Sequence, residues 1–143
     1  DESAGQIHEL INQVYQQVSE VKIEDPVYHI SLAKMAHQLW LGRINNYLSG
    51  REHLHAGEGT DHKACALGRW YTHEALKDFS HIAGVRELAK PHQAFHAKIK
   101  DVIKAKEGER ADDAEKAFKE LMIISEQVME NLERINENIS CEQ

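Results

Sequence analysis

Residues 111–140 have the sequence ADDAEKAFKELMIISEQVMENLERINENIS, and this stretch decides the fold. Its apolar residues recur every three or four positions, so on an α-helix they lie along one side. This apolar stripe consists of Ala114, Ala117, Leu121, Ile124, Val128, Leu132, Ile135 and Ile139. Most of the stability of such a helix comes from packing its apolar face against other elements. The stretch therefore predicts a long helix within a helical bundle.

Three further segments have the same spacing of apolar residues. The first covers about residues 3–22, and the second begins at Asp25-Pro26, a helix-start signal, and ends at Ser49-Gly50. The third begins near Val85 and ends before a break at residues 106–110. Pro91 lies inside this third segment, where we expect it to bend or interrupt the helix.

Two shorter segments separate the second and third helices. Residues 50–64 are polar and have no regular period, which indicates a loop. Residues 65–79 (CALGRWYTHEALKDF) favour a short helix that begins at Cys65. We therefore expect an all-α fold, a four-helix bundle with an additional short helix that carries a cysteine ligand.

The composition excludes several classes of function. The net charge of −7, from 17 basic and 24 acidic residues, argues against a nucleic-acid partner, because phosphate binding needs a basic surface. No apolar run approaches the roughly 20 residues that span a bilayer, so we expect no direct membrane insertion. The two cysteines, Cys65 and Cys141, do not indicate a disulfide framework, and we expect a cytoplasmic protein. The 10 histidines exceed ordinary usage and need an explanation.

Three of these histidines occupy positions that suit a metal ion. His37 lies in the apolar stripe of the second helix and His92 in that of the third, with His96 one turn further along. A single buried histidine most often bonds to a backbone carbonyl, and an exposed His-x-x-x-His pair is commonly only solvated. Two histidines in facing apolar stripes, beside a third at i+4, favour a metal.

Cys65 completes a candidate zinc site. It begins a helix, where the helix dipole favours a thiolate, although many free cysteines are simply small buried apolar residues. Three imidazoles and one thiolate fill the tetrahedral positions of Zn²⁺ and leave none for a reactive water. We therefore predict no catalytic residues and no enzymatic activity, and the sequence has no His-Glu-x-x-His motif.

Three short blocks of the sequence together resemble a known family. They are HQLW at 37–40, CALGRW at 65–70 and HQAFH at 92–96. Their pattern of His-x-x-aromatic, Cys-x-aliphatic-Gly-x-aromatic and His-x-x-x-His is similar to that of the chemoreceptor zinc-binding (CZB) domain, over roughly residues 25–140. The resemblance implies that the zinc ligands are His37, Cys65, His92 and His96. It also implies a surrounding packing shell of Trp40, Leu67, Gly68 and Trp70.

The resemblance implies a function in signalling. It predicts a regulatory zinc-binding sensor domain of a bacterial chemoreceptor or diguanylate cyclase, which responds to zinc, to oxidation of the zinc-bound cysteine, or to both. Two alternatives remain open: a dimerisation bundle in which zinc is a purely structural staple, and a bundle metalloenzyme, which we consider the weaker of the two. Elemental analysis and the effect of zinc removal distinguish these hypotheses.

The pattern of the first helix indicates how the chain is divided and which partners it has. We expect residues 1–24 to form a coiled-coil-like helix that belongs to the bundle and continues an upstream signalling region, and residues 25–143 to form the zinc-binding bundle. Because the chain begins within a helical pattern, we expect it to be part of a longer protein with a covalently attached signalling domain. A homodimer is predicted through the first helix and part of the last. The interface residues of the first helix would be Ile7, Ile11, Val14, Val18 and Val21.

The remaining histidines are predicted to have no role in the metal site. His53, His55 and His62 lie in the polar loop, and Glu52-x-x-His55 is at most half of a di-iron motif. We expect the others to lie at the surface or its edge, as we do for Cys141. These are His8, His29, His73 and His81.

Overall fold

The structure of the chain is a computed structural model that describes residues 5–11, 13–14, 26–54, 59–63 and 65–142, except the side chains of 26–29 and 142. Six α-helices occur among these residues. They are α1 (residues 5–11 and 13–14), α2 (Pro26–Leu48), α3 (Ala66–Trp70), α4 (Leu76–Asp78), α5 (Ala89–Glu107) and α6 (Ala111–Glu142). A π-helical turn, Tyr71–Ala75, joins α3 to α4, and a 3-10 turn, Arg86–Leu88, precedes α5. No strand occurs in this part of the chain, and the all-α prediction is confirmed.

The helices pack around one apolar core. Helices α5 and α6 form an antiparallel pair, along which Lys98 of α5 bonds to Glu120 of α6. Helix α2 packs against both α6 and α3. The predicted stripe of α6 faces inward, because Leu121, Val128 and Leu132 are fully buried. Among the described helices, none is both long enough and apolar enough to cross a bilayer.

The helix ends agree with the sequence signals except at Pro91. Helix α2 ends at Leu48, and Gly50, with φ of 80°, follows it as predicted. Pro91 was expected to bend or interrupt a helix that began near Val85. It is instead the third residue of α5, within the first turn, where a proline removes no helical hydrogen bond because the first N–H groups have no partner.

Helix α1 turns its histidine, His8, toward the bundle. His8 is buried, and its ring meets the ring of Trp40 edge-on at 4.6 Å. The prediction that His8 lies at the surface is therefore wrong, because this face of α1 covers α2. Ile11 is also buried, whereas Ile7 and Val14 are exposed.

The structure tests the predicted exposure of some of the remaining histidines and of Cys141. His73, His81 and Cys141 are exposed, as expected. The side chain of His29 and the residues Val18, Val21 and His55 lie outside the part of the chain that the structure describes.

Candidate metal centre

Two helices bring three histidines together in the core. Helix α2 supplies His37, and successive turns of α5 supply His92 and His96. One ring nitrogen of each lies within 4.8 Å of the others, and all three side chains are buried. The Nε2 atoms of His92 and His96 are 3.1 Å apart. Bonds of about 2.0–2.3 Å around a tetrahedral zinc ion would place ligand atoms roughly 3.3–3.6 Å apart. The cluster is therefore close to the size that zinc requires.

A backbone carbonyl sets the tautomer of His96. The Nδ1 atom of His96 lies 2.5 Å from the carbonyl oxygen of Gly59. A carbonyl oxygen only accepts hydrogen bonds, so Nδ1 carries the proton and donates it. In the neutral ring, Nε2 then keeps a free lone pair that points toward His92. This arrangement is typical of metal-binding histidines, whose second nitrogen is bonded to a carbonyl or carboxylate.

His37 provides the test of whether these residues fit a metal. Neither of its ring nitrogens has a hydrogen-bond partner, although the side chain is buried. Its ring packs against Phe95 with the centroids 4.0 Å apart, so its surroundings are apolar on that side. Leaving a buried polar atom unpaired costs about 1–3 kcal/mol. A cation between the three rings would satisfy one nitrogen of His37, and the donor set therefore fits zinc.

Cys65 lies at the His92 side of this cluster. It is the N-cap residue of α3, and its sulfur accepts a hydrogen bond from the N–H of Gly68 at 3.3 Å. The same sulfur is 3.3 Å from Nε2 of His92, and the thiol donates to the carbonyl oxygen of His62 at 3.5 Å. Cys65 is not a member of the mutually close group of three histidines. It contacts that group through His92.

Burial keeps the four groups uncharged when no cation is present. It lowers the pKa of His92 to about 3 and that of His96 to about 4, with a further contribution from neighbouring imidazoles in each case. The pKa of His37 is also lowered well below its ordinary value, mainly by burial and then by His92 and His96. The three rings can therefore offer lone pairs at neutral and mildly acidic pH.

The thiol of Cys65 behaves differently from the sequence-based expectation. Burial raises the pKa of Cys65 to about 11, although the backbone N–H groups of Gly68 and Leu67 act in the opposite direction. The start of α3 was expected to favour the thiolate, but its effect is smaller than the cost of burying a charge. Cys65 therefore keeps its proton at neutral pH unless a cation replaces it.

The loop at residues 59–63 covers the cluster and holds two residues that the sequence did not single out for the site. Gly59 supplies the carbonyl that bonds to His96, and the ring of His62 lies 6.0 Å from that of His92. The loop can lie this close because Gly68 has no side chain: a Cβ there would be 1.8 Å from the carbonyl oxygen of His62. Gly68 belongs to the sequence motif, but the loop itself has no periodic pattern.

The residues predicted to form the packing shell are buried around the cluster. Trp40, Leu67, Gly68 and Trp70 are all buried. The ring of Trp40 lies 6.5 Å from that of His96, and a Cβ at Gly59 would come within 2.8 Å of the Trp40 ring. These contacts fix the position of the loop that supplies the carbonyl partner of His96.

Comparison with known families agrees with this geometry. Residues 37–103 match the family model described as the chemoreceptor zinc-binding domain. This segment matches the CZB family. The match is shorter than the predicted range of 25–140, but it begins at His37 and contains Cys65, His92 and His96. Searches of curated proteins and of solved structures gave no match.

The family match indicates the metal and the general role. CZB domains are zinc-binding sensor domains of chemotaxis and signalling proteins, and the cluster of His37, His92 and His96 could hold such an ion. The prediction of Zn²⁺ as the cofactor is thereby confirmed. The set of four ligands that includes Cys65 stays a prediction. In this fold the Cys65 sulfur lies 3.3 Å from Nε2 of His92, one of the three clustered histidines.

Proposed function

We propose that the chain is a regulatory zinc sensor of a bacterial chemoreceptor or diguanylate cyclase, with His37, Cys65, His92 and His96 as the four ligands. The observation that carries this proposal is the buried cluster that α2 and α5 build together, in which His37 has no other partner. Bound zinc would supply positive charge that stabilises the Cys65 thiolate. It would also accept the lone pairs of the three imidazole nitrogens, which otherwise point toward one another. Loss of zinc would leave His37 buried and unsatisfied, which favours a shift of α2.

Contacts of α2 offer a route from the cluster to α1. The ring of Trp40 lies between those of His96 and His8, 6.5 Å from the first and 4.6 Å from the second. Arg43 lies over the Trp40 ring, with its guanidinium carbon 4.7 Å from the ring centre. A shift of α2 would therefore move groups that also contact α1.

Arg43 strengthens this connection through two hydrogen bonds, of which the one to His8 is buried and the one to Glu52 is partly buried. It donates from Nη1 to Nδ1 of His8 at 3.1 Å and from Nε to a carboxylate oxygen of Glu52 at 2.7 Å. The side chains of Arg43 and Glu52 are only 10% and 7% exposed. Buried charged bonds hold their geometry tightly, because an unpaired partner would be costly. We infer that α1, which we predict to be continuous with an upstream signalling region, follows the movement of α2.

Two stimuli suit this site, namely the zinc concentration and an oxidant. Hydrogen peroxide would oxidise the Cys65 thiolate to a sulfenate by transferring one oxygen atom to sulfur and leaving as water, which removes a strong zinc ligand. A surface cavity of about 270 Å³ beside the site is lined by His62, Gly68 and His92, among others, and offers an approach to the Cys65 side. We propose both stimuli, as alternative ways to empty or alter one site.

The proposed role is regulatory and not catalytic. Four protein ligands would fill the tetrahedral positions of zinc and leave none for an activated water. A purely structural zinc staple is the alternative. It predicts that removing zinc unfolds the bundle, whereas the sensor proposal predicts a rearranged but folded bundle.

We further propose that the chain acts in the cytoplasm as a homodimer attached covalently to a signalling domain. Ile7, Leu10 and Val14 are exposed on α1 at spacings of three and four residues, so they share one face. Met122 and Ile123 are exposed on α6, the second helix of the predicted interface. A monomeric mass at micromolar concentration in light scattering would contradict the dimer.

The first experiment is elemental analysis of the purified protein. We expect about one zinc per chain in the wild type and in His73→Ala, which changes an exposed histidine of the same type. We expect substantially less zinc in His37→Ala and His92→Ala. No zinc in the wild type, even after reconstitution under reducing conditions, would refute the sensor.

A distance measurement tests the coupling to α1. Spin labels at Glu9→Cys on α1 and Glu126→Cys on α6, both exposed positions, report the separation of these helices in a Cys141→Ser background. We expect chelation of zinc to shift the distance by roughly 1–2 Å or more while helicity is retained, as in other helix-shift transitions. An unchanged distance would refute signalling through α1, and a loss of helicity would favour the structural staple.

A further inference from the structure

The loop at residues 59–63 places a fourth imidazole beside the metal cluster. His62 is the neighbour of Cys65 in space, because its carbonyl oxygen accepts the hydrogen bond of the Cys65 thiol at 3.5 Å. Its backbone is held close to α3, at the position where a side chain on Gly68 would collide with it. The N–H of Lys63 donates to the side chain of Asp61 at 2.9 Å, which fixes the turn on which His62 lies.

The ring of His62 is about as close to that of His92 as the ring of His37 is, although His92 and His96 are closer to each other, with centroids 4.8 Å apart. Its centroid lies 6.0 Å from that of His92. Within the cluster, the ring of His37 lies 5.9 Å from that of His92 and 6.2 Å from that of His96. His62 is nevertheless outside the group whose nitrogens all lie within 4.8 Å. It occupies the next position outward, on the side from which Cys65 approaches His92.

The surroundings of His62 allow its ring to move. The side chain is only partly buried, whereas those of His37, His92 and His96 are fully buried. The cavity of about 270 Å³ lies between His62 and His92 and is also lined by Gly68 and Gln93. Rotation of the His62 side chain into this space would bring an imidazole nitrogen toward the side of the cluster occupied by the Cys65 sulfur.

We propose that His62 is a reserve zinc ligand that takes the position of Cys65 when its thiolate is lost. This inference rests on the proposed zinc site. Loss of the thiolate, by oxidation or substitution, would then convert a site of three imidazoles and one sulfur into a site of four imidazoles, and the ion would be retained. The exchange would draw the loop toward His92 and disturb the bond between Gly59 and His96. Oxidation and zinc depletion would thus give two different states of the bundle.

The test counts the zinc ligands in defined variants. Zinc-edge X-ray absorption of the zinc-loaded protein should show three imidazoles and one sulfur in the wild type. We expect four imidazoles in Cys65→Ala and three imidazoles with one oxygen in Cys65→Ala/His62→Ala. The matched control, Cys65→Ala/His73→Ala, should again show four. Competition with a coloured chelator should give a Kd for the His62 double variant at least about tenfold above that of Cys65→Ala.

A second measurement avoids substitution of Cys65. Stoichiometric hydrogen peroxide, which converts the thiolate to a sulfenate and water, should leave zinc bound in the wild type and in His73→Ala. His62→Ala should release zinc under the same treatment, and a zinc-sensitive dye would detect it.

Several results would overturn the proposal. Three imidazoles and one oxygen in Cys65→Ala, with a Kd that does not change when His62 is also replaced, would exclude a reserve ligand. Equal zinc release from the wild type and His62→Ala after peroxide would exclude it as well. Absence of zinc from the untreated wild type would instead refute the zinc site itself, so the two failures are distinguishable.

Discussion

Acidification of the metal-free protein should unfold it more readily because of its buried histidines. Burial lowers the pKa of His92 to about 3 and that of His96 to about 4, and the pKa of His37 moves in the same direction. An unfolded chain has ordinary imidazoles with a pKa of about 6.5. Below that pH the unfolded state binds protons at these histidines, whereas the folded state leaves them neutral. The stability that depends on neutral rings is therefore complete above pH 6.5 and is lost as the pH falls toward the folded-state values.

The size of this effect follows from the two pKa values. At pH 5 the unfolded state has gained protons at both His92 and His96, and the folded state has gained almost none. Each pKa unit between the ordinary value and the pH corresponds to about 1.36 kcal/mol, so each of these residues lowers the free energy of unfolding by about 2 kcal/mol. The two together account for about 4 kcal/mol, and His37 adds to this loss. A small domain has only about 5–15 kcal/mol of stability.

Urea denaturation at pH 7, 6 and 5 in the presence of a chelator measures the effect. The matched variants are His92→Leu, which removes a buried histidine, and His73→Leu, which removes an exposed one. We expect the loss between pH 7 and 5 to be about 2 kcal/mol smaller in His92→Leu than in the wild type and unchanged in His73→Leu. The same loss in all three proteins would refute the argument that buried neutral histidines cause the acid sensitivity.

Three further predictions concern the loop, the thiol and Arg43. Gly68→Ala should raise the Kd for zinc about 10–100-fold, because its Cβ would displace the loop whose Gly59 carbonyl orients His96. Competition with a chelator would measure this Kd, and an unchanged value would contradict the prediction. Zinc binding at pH 7.5 should release about one proton, since burial raises the pKa of Cys65 to about 11 and the histidines are already neutral. Calorimetry in buffers of different ionisation enthalpy counts this proton, and release of several would be inconsistent with neutral rings. Glu52→Gln should lower the free energy of unfolding by about 2 kcal/mol, because the buried Arg43 loses a charged acceptor; no change in urea denaturation would argue against that pair.

The sequence predicted the long helices well because their signals are local. The spacing of apolar residues in α2, α5 and α6 follows the helical period, and the break near residues 106–110 coincides with the gap between Glu107 and Ala111. Pro91 was misjudged because a proline ends or bends a helix only beyond its first turn, and the start of α5 could not be located to within one turn.

The surroundings of the cluster were harder to predict because tertiary contacts determine them. Nothing local distinguishes His8, which is buried, from His73, which is exposed, since the difference arises from the way α1 covers Trp40. Gly59 and His62 belong to a loop without a period, and their proximity to α5 depends on how that loop crosses α3. The family motif predicted Gly68 as part of the shell, and the structure gives the reason: the backbone of His62 occupies the space that a side chain would need.

The arrangement of α2 explains why a change at the cluster would not remain local. Helix α2 carries His37, Trp40 and Arg43 at intervals of three residues, so each side chain is turned about 60° around the helix axis from the one before it. The first meets α5 in the cluster, the second contacts both His96 and α1, and the third bonds to His8 and Glu52. A helix moves largely as a rigid unit, because every backbone hydrogen bond links one turn to the next. A shift of α2 that relieves His37 would therefore also displace the groups that contact α1, as the proposed sensor function requires.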